Sequence, residues 1–355
     1  MAKRVLVAMS GGIDSSVAAF LLQQRGFDVA GVTMYLNIKT SNKKRQCCSE
    51  QAIDEAKNVC STLGISHYVM DFSSELEEKV IAKFISEYLK GRTPNPCIEC
   101  NRFLKFGLLL KKAKVLGFDF LATGHYAGIE EENGKFVLKK AKDKRKDQSY
   151  FLYPIKKETL GSILFPLARL TKEKVRQIAR RANLPTTNKP QSQDICFVSQ
   201  GDYREFIRER VGEIKWGEIV DLKGNICGRH KGIPFYTIGQ REKIGLTSKE
   251  PLYVVSIDGE KNQIVVGRKE NLIAKGLIAG NLNLLVDNLP EDTSAKVRYT
   301  HKEGKCKIFL EGEKAKVIFK ETQEAITPGQ SVVFYTGEII LGGGIIERVI
   351  PALDS

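Results

Sequence analysis

The feature that most constrains the fold is a string of seven residues, Ser10-Gly11-Gly12-Ile13-Asp14-Ser15-Ser16. It lies between an apolar run at residues 3–9 and an apolar helical stretch that reaches Arg25. An apolar strand, a loop of small residues and a helix in that order open a parallel sheet unit. In such a loop the small residues let backbone N–H groups approach a phosphate, and the helix N-terminus favours its negative charge. The hydroxyls of Ser10, Ser15 and Ser16 can add donors. Asp14 is out of place beside an anion unless it caps the helix or helps to hold Mg²⁺. The loop carries no lysine, so it is unlike the loops that serve γ-phosphate transfer.

The alternation continues along the chain. Gly26 reads as a helix stop, residues 28–36 as a strand, 49–63 as a helix ending at Gly64, and 66–72 as a third strand. Helices follow at 74–90 and 98–116, separated by the breaker-rich Gly91-Arg92-Thr93-Pro94-Asn95-Pro96, and 118–123 returns as a strand. Asn133-Gly134 is a hairpin signal and residues 172–183 a basic helix. The pattern predicts an α/β fold, a doubly wound parallel sheet. Beyond Gly212 it changes to short β runs at 217–220, 252–257, 263–266 and 332–334, which predict one or two small barrels. The expected domains are 1–211, a catalytic domain with a basic insertion, 212–275, a central β-rich domain, and 276–355, a C-terminal β-barrel, with Gly276–Gly280 as the seam.

With 355 residues the chain can bury more than one core, and a mean hydropathy of −0.23 fits a globular protein in water. No run approaches the roughly 18 apolar residues of a membrane span, and residues 1–10 lack the features of a signal peptide, so no membrane partner is expected and the cytoplasm is the expected location. Lys and Arg number 56 against 42 Asp and Glu, a net charge of +14. Residues 135–190 hold 16 of those cations and only 4 of the acids, so most of the excess sits in one stretch and reads as a docking surface for a polyanion. Of the eight cysteines, Cys60, Cys227 and Cys306 read as inert buried residues, and Cys47 and Cys48 are ambiguous. Cys97 and Cys100 stand three apart where a helix begins, so both can lie on one face and feel the positive helix end that lowers a thiol pKa. Cys196 is far along the chain. No second C-x-x-C or His pair completes a zinc site.

Several further strings share one order with the phosphate loop. They are the Gly91 to Pro96 segment, Ala122-Thr123-Gly124-His125-Tyr126, Lys146-Asp147-Gln148-Ser149-Tyr150-Phe151, Ile195-Cys196-Phe197, Thr237-Ile238-Gly239-Gln240-Arg241 and Thr327-Pro328-Gly329-Gln330. Together, through nearly the whole chain, they resemble the bacterial tRNA-specific 2-thiouridylases, whose phosphate loop is of the ATP pyrophosphatase type. The resemblance implies an adenine nucleotide α-hydrolase-like sheet. Ala8, Met9, Ser10, Gly11, Gly12, Ile13, Asp14, Ser15, Met34 and Gly124 match that family's ATP contacts. Asn95, Pro96 and Cys97 match the stretch facing the target base. His125, Lys146, Asp147, Gln148, Arg298, Tyr299 and Gln330 match tRNA contacts.

The implied reaction is adenylation of O2 of a wobble uridine in the Lys, Glu and Gln acceptors, followed by sulfur attack and loss of AMP. Cys196 matches the persulfide carrier and Cys100 the thiol that releases its terminal sulfur; a persulfide attacks only as the anion. The chain departs from the family where Cys97 replaces the Asp that many relatives carry as acid/base, and at Ser192-Gln193-Asp194. Two chemistries stay open for Cys97, Cys100 and Cys196. One is the persulfide relay, fed by a sulfur donor protein. The other is a 4Fe–4S cluster whose open iron binds inorganic sulfide, and the exchange of Asp for a third soft ligand favours it. Another pyrophosphate-loop tRNA ligase would share the loop without needing the thiols, and a non-catalytic RNA-binding protein would need neither.

Overall fold

The computed structural model describes residues 2–38, 50–186, 195–198 and 202–352. Its contacts cluster into two units, one of residues 1–80, 97–201 and 337–340, the other of 81–96, 202–336 and 341–355. The first is built on β1 (Arg4–Ala8), α1 (Ile13–Gln24), β2 (Asp28–Tyr35), α2 (Glu50–Leu63), β3 (His67–Asp71) and α3 (Ser73–Leu76). A π-helical turn at Glu77–Ile81 runs on into α4 (Ala82–Leu89), which belongs to the second unit. The first unit resumes with α5 (Pro96–Glu99), a π-helical stretch at Cys100–Leu109, α6 (Leu110–Val115), β4 (Phe120–Ala122), β5 (Ala127–Glu132), β6 (Lys135–Lys140), β7 (Ile163–Leu164) and α7 (Lys172–Arg181). The two expected helices are therefore present but interrupted by π turns, which periodicity does not reveal.

Five of these strands form a parallel sheet in the order β3-β2-β1-β4-β7. Val5, Leu6 and Val7 of β1 are fully buried, as a strand covered on both faces requires. One core joins β1 and β2 to α1 and α2 through Val5, Val7, Ala19, Leu22, Val29, Ala56 and Val59. A second packs Ile13, Val17 and Ala18 of α1 against Val175 and Ala179 of α7, with Tyr126, Ala141 and Leu167 between. Gly26 ends α1 with φ 79°, and the hairpin turns on Asn133 and Gly134 at φ 50° and 73°, the left-handed pair that a two-residue turn demands.

The second unit contains α4, α8 (Tyr203–Val211), β8 (Gly217–Val220), β9 (Ile226–His230), β10 (Tyr253–Asp258) and β11 (Gln263–Gly267). These four strands pair in the order β10-β11-β8-β9 around Ile219, Phe235, Val254 and Ile264. The remaining strands, β12 (Ile273–Leu284), β13 (Thr293–Lys296), β14 (Gly304–Glu311), β15 (Lys314–Glu324), β16 (Ser331–Thr336) and β17 (Ile339–Pro351), form an antiparallel barrel closed by pairing of β12 with β17. Two expected boundaries differ from this arrangement. Gly276 lies inside β12, where a strand crossing can use glycine without ending, and α8 clusters with the second unit rather than with residues 1–201.

Candidate functional site

Following the chain from β1, the sheet grows outward through β2 and β3, then restarts on the other side with β4 and β7. The order reverses between β1 and β4, and in open α/β sheets ligands settle at that point, beyond the carboxyl ends of the strands. Two family-matched segments meet there. The Met9 N–H still donates to Val32 O at 2.7 Å, so the chain leaves the sheet only at Ser10. Gly11 has φ 66°, and a Cβ there would lie 2.8 Å from Ala52 O, so no other residue fits. Gly12 caps α1 with extended backbone and no side-chain bond. A Cβ on Gly124, in the loop after β4, would fall 2.7 Å from the Asp14 carbonyl carbon and 2.7 Å from the Ser15 nitrogen. The two loops thus rest backbone on backbone. Met34 is half-buried near the carboxyl end of β2.

The loop hydroxyls are less available than expected. Ser15 Oγ and Ser16 Oγ donate to Gly12 O at 3.0 and 2.9 Å, and Thr186 Oγ1 donates to Ser16 Oγ at 3.2 Å. Ser16 is wholly buried and braces the loop, whereas Ser10 is exposed, with its N–H donating to Ser15 Oγ at 3.3 Å and its own Oγ 3.4 Å from that oxygen.

Asp14 takes a place that neither expectation foresaw. Lys172 Nζ donates to both its oxygens at 2.6 and 2.7 Å, and Tyr126 OH donates to Oδ1 at 2.8 Å. It does not cap α1. Burial, and after it the Asp14 charge, holds the Tyr126 phenol well above its ordinary range, so it remains a donor. Lys172 is itself 6% exposed and opens α7, with its N–H donating to Asp143 Oδ2 at 3.0 Å. Sequence reasoning missed Lys172 and Tyr126 as site residues. The signal, a lysine that heads a basic helix, reads as surface until its burial is known.

The thiols come together in part. Cys97 keeps a solvent-facing edge but is surrounded by protein, and burial pushes its thiol up to about 11. Cys196 lies close enough for its charge to add to that rise, and Lys105 opposes it. Cys97 is therefore a neutral thiol near pH 7, not a resting base in place of the family's Asp. Cys100 is buried. Among the described residues no three His, Cys, Asp or Glu side chains form a metal-holding group. The three cysteines as placed do not fit an iron–sulfur site. Lys105, a cation missed in the sequence, donates to Asn101 Oδ1 at 3.1 Å, and Asn101 Nδ2 to Phe151 O at 3.0 Å.

His125 lies between the rings of Phe106 and Phe165 at centroid distances of 5.9 Å each, with Nδ1 2.6 Å from Thr123 Oγ1. Burial, then Lys105, holds it well below the usual imidazole range, so it is neutral. Asp147 and Gln148 fold their own loop. Asp147 accepts from Ala141 N–H at 2.7 Å and Ser149 Oγ at 2.6 Å, and Gln148 Oε1 accepts from Tyr126 N–H at 2.9 Å. Lys146 sits beside them, half-buried.

In the second unit Arg298 donates to Ile238 O at 3.0 Å and to Thr327 Oγ1, joining two family-matched strings. Gln330 Nε2 donates to Thr93 O at 2.9 Å, and Thr93 N–H to Pro328 O at 2.9 Å, which pins the segment that leads to Asn95 and to Pro96, the first residue of α5. The Tyr299 ring carries Lys296 Nζ 5.6 Å from its centroid. Cys60 is packed where a Cβ on Gly31 would meet its sulfur at 2.6 Å, and burial raises its thiol, like that of Cys306, to about 11. Cys227, expected to be buried, is exposed on β9. Cys47, Cys48 and Ser192-Gln193-Asp194 lie outside the described residues.

Comparison with known proteins matches residues 3–200 to the tRNA methyl transferase HUP domain, 204–268 to the tRNA methyl transferase PRC-barrel domain and 274–346 to the aminomethyltransferase beta-barrel domain. The chain is 52% identical to the tRNA-specific 2-thiouridylase MnmA 1 of Syntrophus aciditrophicus, over 98% of this chain and 94% of that one. It is 49% identical to the tRNA-specific 2-thiouridylase MnmA of Carboxydothermus hydrogenoformans, over 98% of each. A 4-thiouridine synthetase solved as an RNA complex with bound ATP is a remote likeness, with a TM-score of 0.36 and 16% identity over 59% of this chain and 51% of that one. At that identity to full-length relatives, with the phosphate loop and Gly124 meeting at the switch of the sheet, the chain belongs to the tRNA-specific 2-thiouridylase family.

Proposed function

We propose that this chain uses ATP to activate the C2 oxygen of a wobble uridine in tRNA and replaces that oxygen with sulfur. The observation that carries the reading is the contact of Gly124 with the first turn of α1, which sets a phosphate loop at the carboxyl ends of β1 and β4. The uridine oxygen attacks the α-phosphorus and pyrophosphate leaves. AMP is then a far better leaving group than the bare carbonyl oxygen. Ser10 and the first turn of α1, whose cap Gly12 offers no side-chain bond, receive the phosphates. Mg²⁺ ordinarily keeps most of its water and rides on substrate phosphates plus one or two carboxylates, so it enters with the nucleotide and needs no preformed cage.

For sulfur delivery the relay is the reading that the placement of Cys196 near Cys97 supports. A persulfide on Cys196 attacks C2 through its terminal sulfur, and AMP departs with the former O2. The Cys100 thiolate attacks the Cys196 sulfur, releasing 2-thiouridine and leaving a Cys100–Cys196 disulfide that an external dithiol must reduce. Lys105, whose charge acts on the Cys97 thiol beside Cys196, is the cation proposed for the persulfide anion. The Lys, Glu and Gln acceptors, a persulfide donor protein, a cytoplasmic location and a division into catalytic, central β-rich and C-terminal barrel domains complete the proposal. Within it Asn95, Pro96 and Cys97 face the base, and His125, Lys146, Asp147, Gln148, Arg298, Tyr299 and Gln330 contact tRNA.

The test is mass spectrometry of nucleosides from tRNA incubated with the protein, ATP and a persulfide donor. Formation of 2-thiouridine with AMP and pyrophosphate is expected; ADP and orthophosphate would reject the assignment. Iron-free protein should remain active, as should Cys97→Ala. Loss of activity together with iron and acid-labile sulfide would instead favour the cluster.

A further inference from the structure

Asp14 stands in the first turn of the helix that faces the polyphosphate, where a carboxylate repels what the loop has to bind. In the structure that charge is cancelled. Lys172 donates to both oxygens at 2.6 and 2.7 Å, Tyr126 adds a bond at 2.8 Å, and Lys172 is almost completely buried. The lysine is not placed by chance. Thr171 caps α7 by accepting from Lys174 N–H at 3.3 Å, the Lys172 N–H is bonded to Asp143, and Val175 and Ala179 lock α7 onto α1. Three separate constraints therefore deliver one ammonium to one carboxylate.

We infer that Lys172 is a positioning residue whose task is to neutralise and aim Asp14, so that the loop presents only donors to the incoming triphosphate. This rests on the ATP reading above. A buried ammonium with both its strong bonds on one carboxylate is held away from other work, and a carboxylate gripped at both oxygens keeps one orientation. If Lys172 instead grips the phosphates itself, Asp14 is only its tether.

The two roles separate in a double-mutant cycle on the full chain, with Kd for ATP measured by equilibrium dialysis in EDTA and again with Mg²⁺. Lys172→Met leaves an uncompensated carboxylate beside the phosphates and should weaken binding about tenfold or more. Lys172→Met with Asp14→Asn removes both charges and should return Kd to within about threefold of the parent chain. Where the single variant does not fold, as a melting curve would reveal, Asp14→Asn alone is compared with the double variant. Equal affinities support the inference. A double variant that binds as weakly as Lys172→Met, or more than about tenfold more weakly than Asp14→Asn, overturns it and makes Lys172 a direct phosphate ligand. Recovery in EDTA but not with Mg²⁺ also overturns it, because Asp14 would then be serving the metal. A parent chain that fails to bind ATP at all would sink the ATP reading itself.

Discussion

Single residues at this site are chosen by what the backbone leaves room for. Gly124 is the clearest case, since any side chain there would enter the peptide between Asp14 and Ser15, with 2.7 Å to each of two backbone atoms. Backbone cannot yield as the end of a flexible side chain can, so Gly124→Ala has to push the loop after β4 away from α1. The expected cost is about 1–3 kcal/mol of stability, the range for overpacking, read by urea denaturation. ATP affinity should fall by more than that strain alone suggests, because the displaced turn is the one proposed to offer its N–H groups to phosphate. Unchanged ATP binding in a destabilised protein would show that the contact serves folding only. Cys97 shows the opposite kind of choice. It puts a thiol where the resemblance implies an acid, and burial first and Cys196 second push that thiol up to about 11.

At the scale of elements, α7 does more than bring basic charge to a surface. Its outer face is exposed and cationic, but its first residue is turned inward to Asp14, and the Thr171 cap fixes where the helix starts. Removing that cap with Thr171→Ala should cost about 0.5–2 kcal/mol. It should also raise Kd for ATP several-fold, since a frayed first turn no longer aims Lys172. Thermal melting and ATP binding on the same variant check this, and Thr171→Ser should restore both. An α7 that loses stability with no change in ATP binding would confine the helix to a structural part. The β5–β6 hairpin behaves in the same double way, because Lys139 spends its charge on Glu130 and Glu132 while Lys135 stays on the exposed side.

For the whole molecule the question is how the charge excess of residues 135–190 is used. Part of it is consumed internally. Lys139 and Arg169 pair with Glu130, Lys144 with Glu338, and Lys172 with Asp14. Lys142, Lys144 and Arg145 nevertheless remain exposed on one loop, with Lys146 half-buried beside them. Each phosphate that a cation neutralises releases counterions, so log affinity for tRNA should fall linearly with log salt. Changing Lys142, Lys144, Arg145 and Lys146 to Ala should flatten that slope by about 0.7–0.9 per lost contact, with ATP affinity unaffected. Lys144 should contribute least, because it gives up Glu338 to reach RNA. A slope that does not move would make this loop a solvated face.

The sequence by itself indicated the parallel sheet, because strand and helix periods alternate behind a small-residue loop, and the left-handed turns at Gly26 and Asn133-Gly134 are set by local sterics alone. It also determined the family, through strings whose order survives without any fold in hand. What it could not settle was charge and burial. Asp14 read as a cap or a metal ligand because its partner is 158 positions away, and Lys172 read as a surface cation because burial belongs to the packing of α7 on α1. Cys97 and Cys100 looked equivalent at helical spacing, yet one keeps a solvent edge and the other is buried. Ion pairs and thiol pKa values depend on what the chain brings within a few ångströms from far along its length, and only the tertiary structure decides that.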